Sequence, residues 1–111
     1  MANEKRLRML EEMTRSATAD SFAFYALALE YKSLGRVDEA LGTFRALRER
    51  DAAYVPMYLM CGTMLSGAGR HAEAREWLES GIVQARDRGE EHAQRELEAA
   101  LELLTPPPSL G

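Results

Sequence analysis

Few side chains in this sequence have the types and spacing that catalysis needs. His71 and His92 stand far apart on different predicted helices, and neither has a cysteine or carboxylate partner at metal-ligand spacing. His71-Ala72-Glu73 reproduces the H-x-E half of a zinc-site signature, in which the histidine holds metal and the carboxylate moves protons. No P-C-x-x-C follows to complete the ligand set. Cys61 is the only cysteine, so an internal disulfide is excluded, and its uncharged surroundings suit a small packing group better than a thiolate nucleophile. No predicted strand precedes a glycine, so no phosphate-cradling loop is expected. The reading is a non-enzymatic protein with no catalytic residue, no metal ligand and no cofactor.

What remains is binding, and the charge balance narrows the partner. Fourteen Lys and Arg face 18 Asp and Glu, for a net charge of -4. Lys5 and Lys32 are the only lysines, and the arginines are interspersed with glutamates rather than gathered in a block. A nucleic-acid partner is not expected. The segment 52–69 carries no charge, but Pro56, Gly62, Gly67 and Gly69, with Thr63 and Ser66, make it a poor membrane span. The charged start, Met1 to Leu10, lacks the apolar run of a secretory signal. A soluble, cytoplasmic protein with no membrane partner is expected.

The elements that would present a binding surface are helices, because apolar residues recur at helical spacing and no segment keeps a period of two. The first is expected over 3–15, with Leu7, Leu10 and Met13 on one face. Asp20 is the expected N-cap of a second helix over 21–34, which carries Phe24, Leu27, Ala28 and Tyr31 and stops at Gly35. A third, over 37–50, opens on Asp38 and Glu39, which suit the positive end of a helix dipole. Its apolar face is Val37, Ala40, Leu41, Phe44 and Leu47. Pro56 fits the first turn of a fourth helix, to about 66. The fifth is expected over 71–88 with Ala74, Trp77, Leu78, Ile82 and Ala85, and the sixth over 90–104 with Ala93, Leu97, Ala100, Leu101 and Leu104. The segment 105–111, Thr-Pro-Pro-Pro-Ser-Leu-Gly, reads as an extended flexible tail.

Two of these stretches are copies of one another. Gly35, Arg36, Glu39, Ala40 and Phe44 recur at an offset of 34 as Gly69, Arg70, Glu73, Ala74 and Leu78. A fixed period of that length with two helices per unit signals an array of helical hairpins. Phe24, Leu27, Ala28 and Tyr31 followed by Ala40 and Phe44, and Tyr58, Cys61, Gly62 and Leu65 followed by Ala74 and Leu78, resemble the tetratricopeptide repeat pattern. Ala52 and Arg86 depart from it where the family often has proline. Small residues let paired helices approach, and large ones fill the space between hairpins. The resemblance implies an all-α fold, an α-α superhelix of about six antiparallel helices. It implies one domain over 1–104: a half-repeat at 3–15, repeats at 21–54 and 55–88, and a capping helix at 90–104, before the tail.

The second helix keeps a surplus apolar stripe, Phe22, Tyr25 and Leu29, ending at Lys32; the fourth places Leu59 and Met60 beside its packing stripe, with Thr63 and Ser66 closing the row. In the resembled family the first helices of the repeats line a concave groove for peptides. The resemblance therefore implies that Phe22, Tyr25, Leu29, Lys32, Leu59, Met60, Thr63 and Ser66 bind a protein or peptide partner, in a scaffold, adaptor or chaperone-like role. The carboxylate clamp of members that hold chaperone tails is not expected, because Tyr25, Leu29 and Met60 stand where Lys and Asn would be. Two alternatives stay open: a terminal helix folds over the stripe, or a homo-oligomer or complex subunit buries it permanently. Arg45 with Glu49 and Arg75 with Glu79 suit a solvated outer surface. Trp77 is read as packing against the last helix, with an exposed binding role as the alternative.

Overall fold

The computed structural model describes the backbone of residues 2–104 and the side chains of residues 4–104. The described residues form six helices and no strand: α1 (Ala2–Arg15), α2 (Ser21–Ser33), α3 (Val37–Arg50), α4 (Pro56–Gly67), α5 (His71–Asp87) and α6 (Glu91–Leu104). The expected boundaries hold to within a residue. The expected tail at 105–111 lies outside the described residues.

Local chemistry sets the helix ends. Asp20 is extended (φ -97, ψ 173), and its side chain accepts from the Ala23 N–H at 2.9 Å, a cap worth about 1 kcal/mol. At the other end Gly35 turns left-handed, with φ +75. Its N–H donates to the Lys32 carbonyl at 3.0 Å, and the Arg36 N–H donates to Tyr31 at 2.9 Å. This double bond pattern satisfies carbonyls that the helix end leaves open. Gly69, φ +79, repeats it: its N–H donates to Ser66 at 3.0 Å and that of Arg70 to Leu65 at 2.9 Å. The bends at Gly35 and Gly69 are equivalent. Each is followed by the same ion pair. Arg36 reaches Glu39 through two bonds of 2.6 and 2.5 Å, and Arg70 reaches Glu73 at 2.5 and 3.2 Å. The recurring Gly-Arg-x-x-Glu therefore encodes a helix stop and the start of the next helix.

The chain divides into two compact units, Met1–Met57 and Tyr58–Gly111. In the first, α2 packs on α3 and on α1. Ala28 and Ala40 are wholly buried, as are Phe44 and Leu47, so the expected small and large packing positions are occupied as such. Arg50 ties the hairpin together. Its guanidinium lies 4.5 Å above the Phe24 ring and donates to the Ala19 carbonyl at 2.9 Å. Ser21 Oγ donates to Asp51 at 2.8 Å across the same end.

Helix α1 departs from expectation. Leu7 is buried and Leu10 half-buried, but Met13 is 47 % exposed and Met9 56 %. Six residues at 100° each place Met13 about 120° from Leu7 around the helix, so one neighbouring helix cannot cover both.

In the second unit, α4 from Tyr58 onward packs on α5, and α5 on α6. Trp77 is 2 % exposed and its ring meets that of Tyr58 at 5.9 Å and 48°. It is a core residue, not an exposed anchor. A Cβ on Gly62 would lie 2.5 Å from Leu78 Cδ2, and one on Gly81 would collide with the Tyr58 Cβ. The small position at Gly62 was expected; that at Gly81 was not. Leu97 anchors α6 at 1 % exposure, whereas Ala93, Ala100, Leu101 and Leu104 are only half-buried.

Candidate partner-binding surface

Two helix faces carry the candidate residues, one on α2 in the first unit and one on α4 in the second. On α2, Phe22 is 65 % exposed, a large apolar ring left in water. Tyr25, one turn on, is half-buried; its ring sits 5.2 Å from that of Tyr54 at a tilt of 51°. Tyr54 was not anticipated, because it lies in the link at 51–55, outside any helical period. Leu29 is half-buried with Ala26 in a cleft of about 400 Å³ between α1 and α2, lined also by Arg6, Leu10, Glu30 and Ser33. Lys32 is half-buried at the end of the row.

On α4 the offset of 34 places Pro56, Leu59, Met60, Thr63 and Ser66 where α2 has Phe22, Tyr25, Ala26, Leu29 and Lys32. Leu59, Met60 and Ser66 are half-buried and Thr63 is exposed. The Thr63 hydroxyl donates to the Leu59 carbonyl at 2.8 Å and also approaches that of Met60 at 3.3 Å. Its proton is thus used within the helix, leaving oxygen lone pairs and a methyl group outward. The face on α2 is aromatic and aliphatic; that on α4 is aliphatic and then hydroxylic.

Tyr25, Tyr31 and Tyr54 stay neutral in this environment. Burial first, and Tyr54 second, push the Tyr25 phenol up; burial, then Asp20 and Asp51, do the same for Tyr54. Tyr31 is pushed up to about 12, first by burial and then by its hydrogen bond to Glu11, whose carboxylate it meets at 2.5 Å. Arg36 lies 5.0 Å over the Tyr31 ring. Such phenols offer rings and O–H donors rather than nucleophiles.

Elsewhere the groups that could do chemistry are dispersed. Cys61 is completely buried. His71 is exposed, and His92, 82 % exposed, lies 3.3 Å from Glu96. Among the described residues no three His, Cys, Asp or Glu side chains gather as a metal site, and no helix is long and apolar enough to cross a membrane.

No family model matches the chain, and no curated protein aligns with it. Solved structures do. A Bordetella parapertussis protein determined in solution is 31% identical over 88% of this chain and 85% of its own, with a TM-score of 0.76. The tetratricopeptide repeat domain protein of Salinibacter ruber, as a crystal structure, is 32% identical over 77% of this chain and 96% of its own, with a TM-score of 0.70. Its solution structure gives 30% identity over 80% and 90%, with a TM-score of 0.72.

Proposed function

The chain belongs to the tetratricopeptide repeat family, and from that premise we propose that it is a non-enzymatic protein-interaction module. Its partner is a protein or peptide with an apolar contact surface, met by Phe22, Tyr25, Leu29 and Lys32 on α2 and by Leu59, Met60, Thr63 and Ser66 on α4. The observation that carries the reading is Phe22. A phenylalanine 65 % exposed, beside half-buried Tyr25, leaves apolar area in water that a partner would remove at about 25 cal/mol per Å² before association costs. Met60, flexible and polarizable, adapts to partner side chains of differing shape. The repeat organisation proposed with it is two hairpins, 21–54 and 55–88, flanked by α1 and α6.

The test is capture of partner from the native host by the wild type and by Phe22→Glu and Leu59→Glu variants, with circular dichroism alongside. The reading expects both variants to lose the partner while keeping wild-type helicity. Normal capture by both defeats the surface assignment. Sedimentation across a concentration range decides the alternative: a constitutive dimer with Phe22 covered puts a second copy of this chain in the partner's place.

A further inference from the structure

The packing of α1 on α2 differs in kind from that of α3 on the same helix. Among its described side chains only Leu7 is buried, whereas α3 buries Ala40, Leu41, Phe44 and Leu47. Beside Leu7 and half-buried Leu10, the hold on α2 is polar. Arg6 Nη1 stands 3.6 Å from Glu30 Oε1, and Tyr31 donates to Glu11. Glu30 is 8 % exposed, the one buried charged side chain among the described residues, while Arg6 is 64 % exposed.

The internal copy shows what was exchanged. At the offset of 34, Glu30 and Tyr31 correspond to Met64 and Leu65, which are 8 % and 0 % exposed. The second copy uses two apolar residues where the first places a carboxylate and a phenol against α1. A buried carboxylate held by one exposed arginine adds little net attraction, because its desolvation offsets the pairing. Undocking returns the Glu30 carboxylate to water, and its rehydration offsets much of the lost pairing. The α1–α2 junction also has a cleft toward each end, the Leu29 cleft and a second of about 250 Å³ beside Met13, Ser16, Asp20 and Ala23.

We propose that α1 is a lid: a helix that undocks as a unit about the turn at 16–19, while α2 and α3 stay folded. Opening breaks the Arg6–Glu30 and Glu11–Tyr31 contacts and bares the α2 face around Ala26, Leu29, Glu30 and Ser33. That this regulates partner access to Leu29 rests on the interaction reading above; the opening itself does not.

Amide hydrogen exchange on the full chain, without any partner, tests it. The amides of residues 4–15 should exchange about tenfold or more faster than the interior amides of α2 and α3, a separate opening at least roughly 1.4 kcal/mol easier. Arg6→Gln, at an exposed position, should speed α1 exchange roughly threefold and leave α2 and α3 unchanged. Glu30→Met, which installs the residue of the second copy, should slow α1 exchange. Exchange of α1, α2 and α3 at one common rate overturns the proposal, as does an α1 rate that neither substitution moves. Because no partner enters, failure here is distinguishable from failure of the binding reading.

Discussion

Gly81 is held against the Tyr58 backbone end so closely that a methyl group has nowhere to go. Gly62 faces Cδ2 and Cγ of Leu78, with the Ala74 carbonyl oxygen 3.6 Å off, so relief there needs one side chain to shift and no backbone. The two positions should therefore respond differently to alanine. Gly81→Ala should lose about 1–3 kcal/mol through overpacking, read as a lower denaturation midpoint in urea. Gly62→Ala should lose less, since alanine recovers up to about 1 kcal/mol of helix propensity and the leucine yields. Tyr31 carries a second residue-scale prediction. Its folded pKa, about 12, lies above the ordinary value of 10.0, so the neutral phenol stabilises the fold in full below pH 10. That contribution is lost as pH rises from 10 to 12. Absorbance of the ionised phenol against helicity over that range should show α1 losing order with Tyr31 ionisation, and Tyr31→Phe should remove the coupling. The Gly62 position was legible in the sequence because the period pairs it with Ala28. Gly81 was not, because its counterpart at the offset of 34 is Leu47, a large core residue.

At the scale of elements, the helix ends are the part most directly written in the chain. Gly35 and Gly69 both take left-handed φ values of +75 and +79 and both receive the same paired hydrogen bonds. An alanine at either should cost about 1–2 kcal/mol from the Cβ clash in that conformation. The Gly35→Ala and Gly69→Ala effects should add in the double variant, because each cap serves its own helix. Thermal unfolding of the three proteins checks this, and additivity failing badly would mean the bends are coupled. Contacts between elements were less legible. Arg50 over Phe24, Tyr54 beside Tyr25 and the burial of Glu30 join residues that no helical period relates. Met13 was misplaced for a related reason: a sequence shows where an apolar face lies, not how many neighbours will cover it.

For the whole molecule, the all-helical fold and its family were readable from two matched copies, while the partner was not, since exposed apolar area states an appetite and not an identity. The α2 and α4 faces are nonetheless specific enough to test by contact. A photoreactive phenylalanine analogue placed at residue 22, with one at Glu49 as the exposed α3 control, should be irradiated in the native host. The account predicts a covalent adduct at residue 22 to a different protein, absent at residue 49 and lost when Tyr25→Glu is added. No adduct at residue 22, or the same adducts from residue 49, would contradict it.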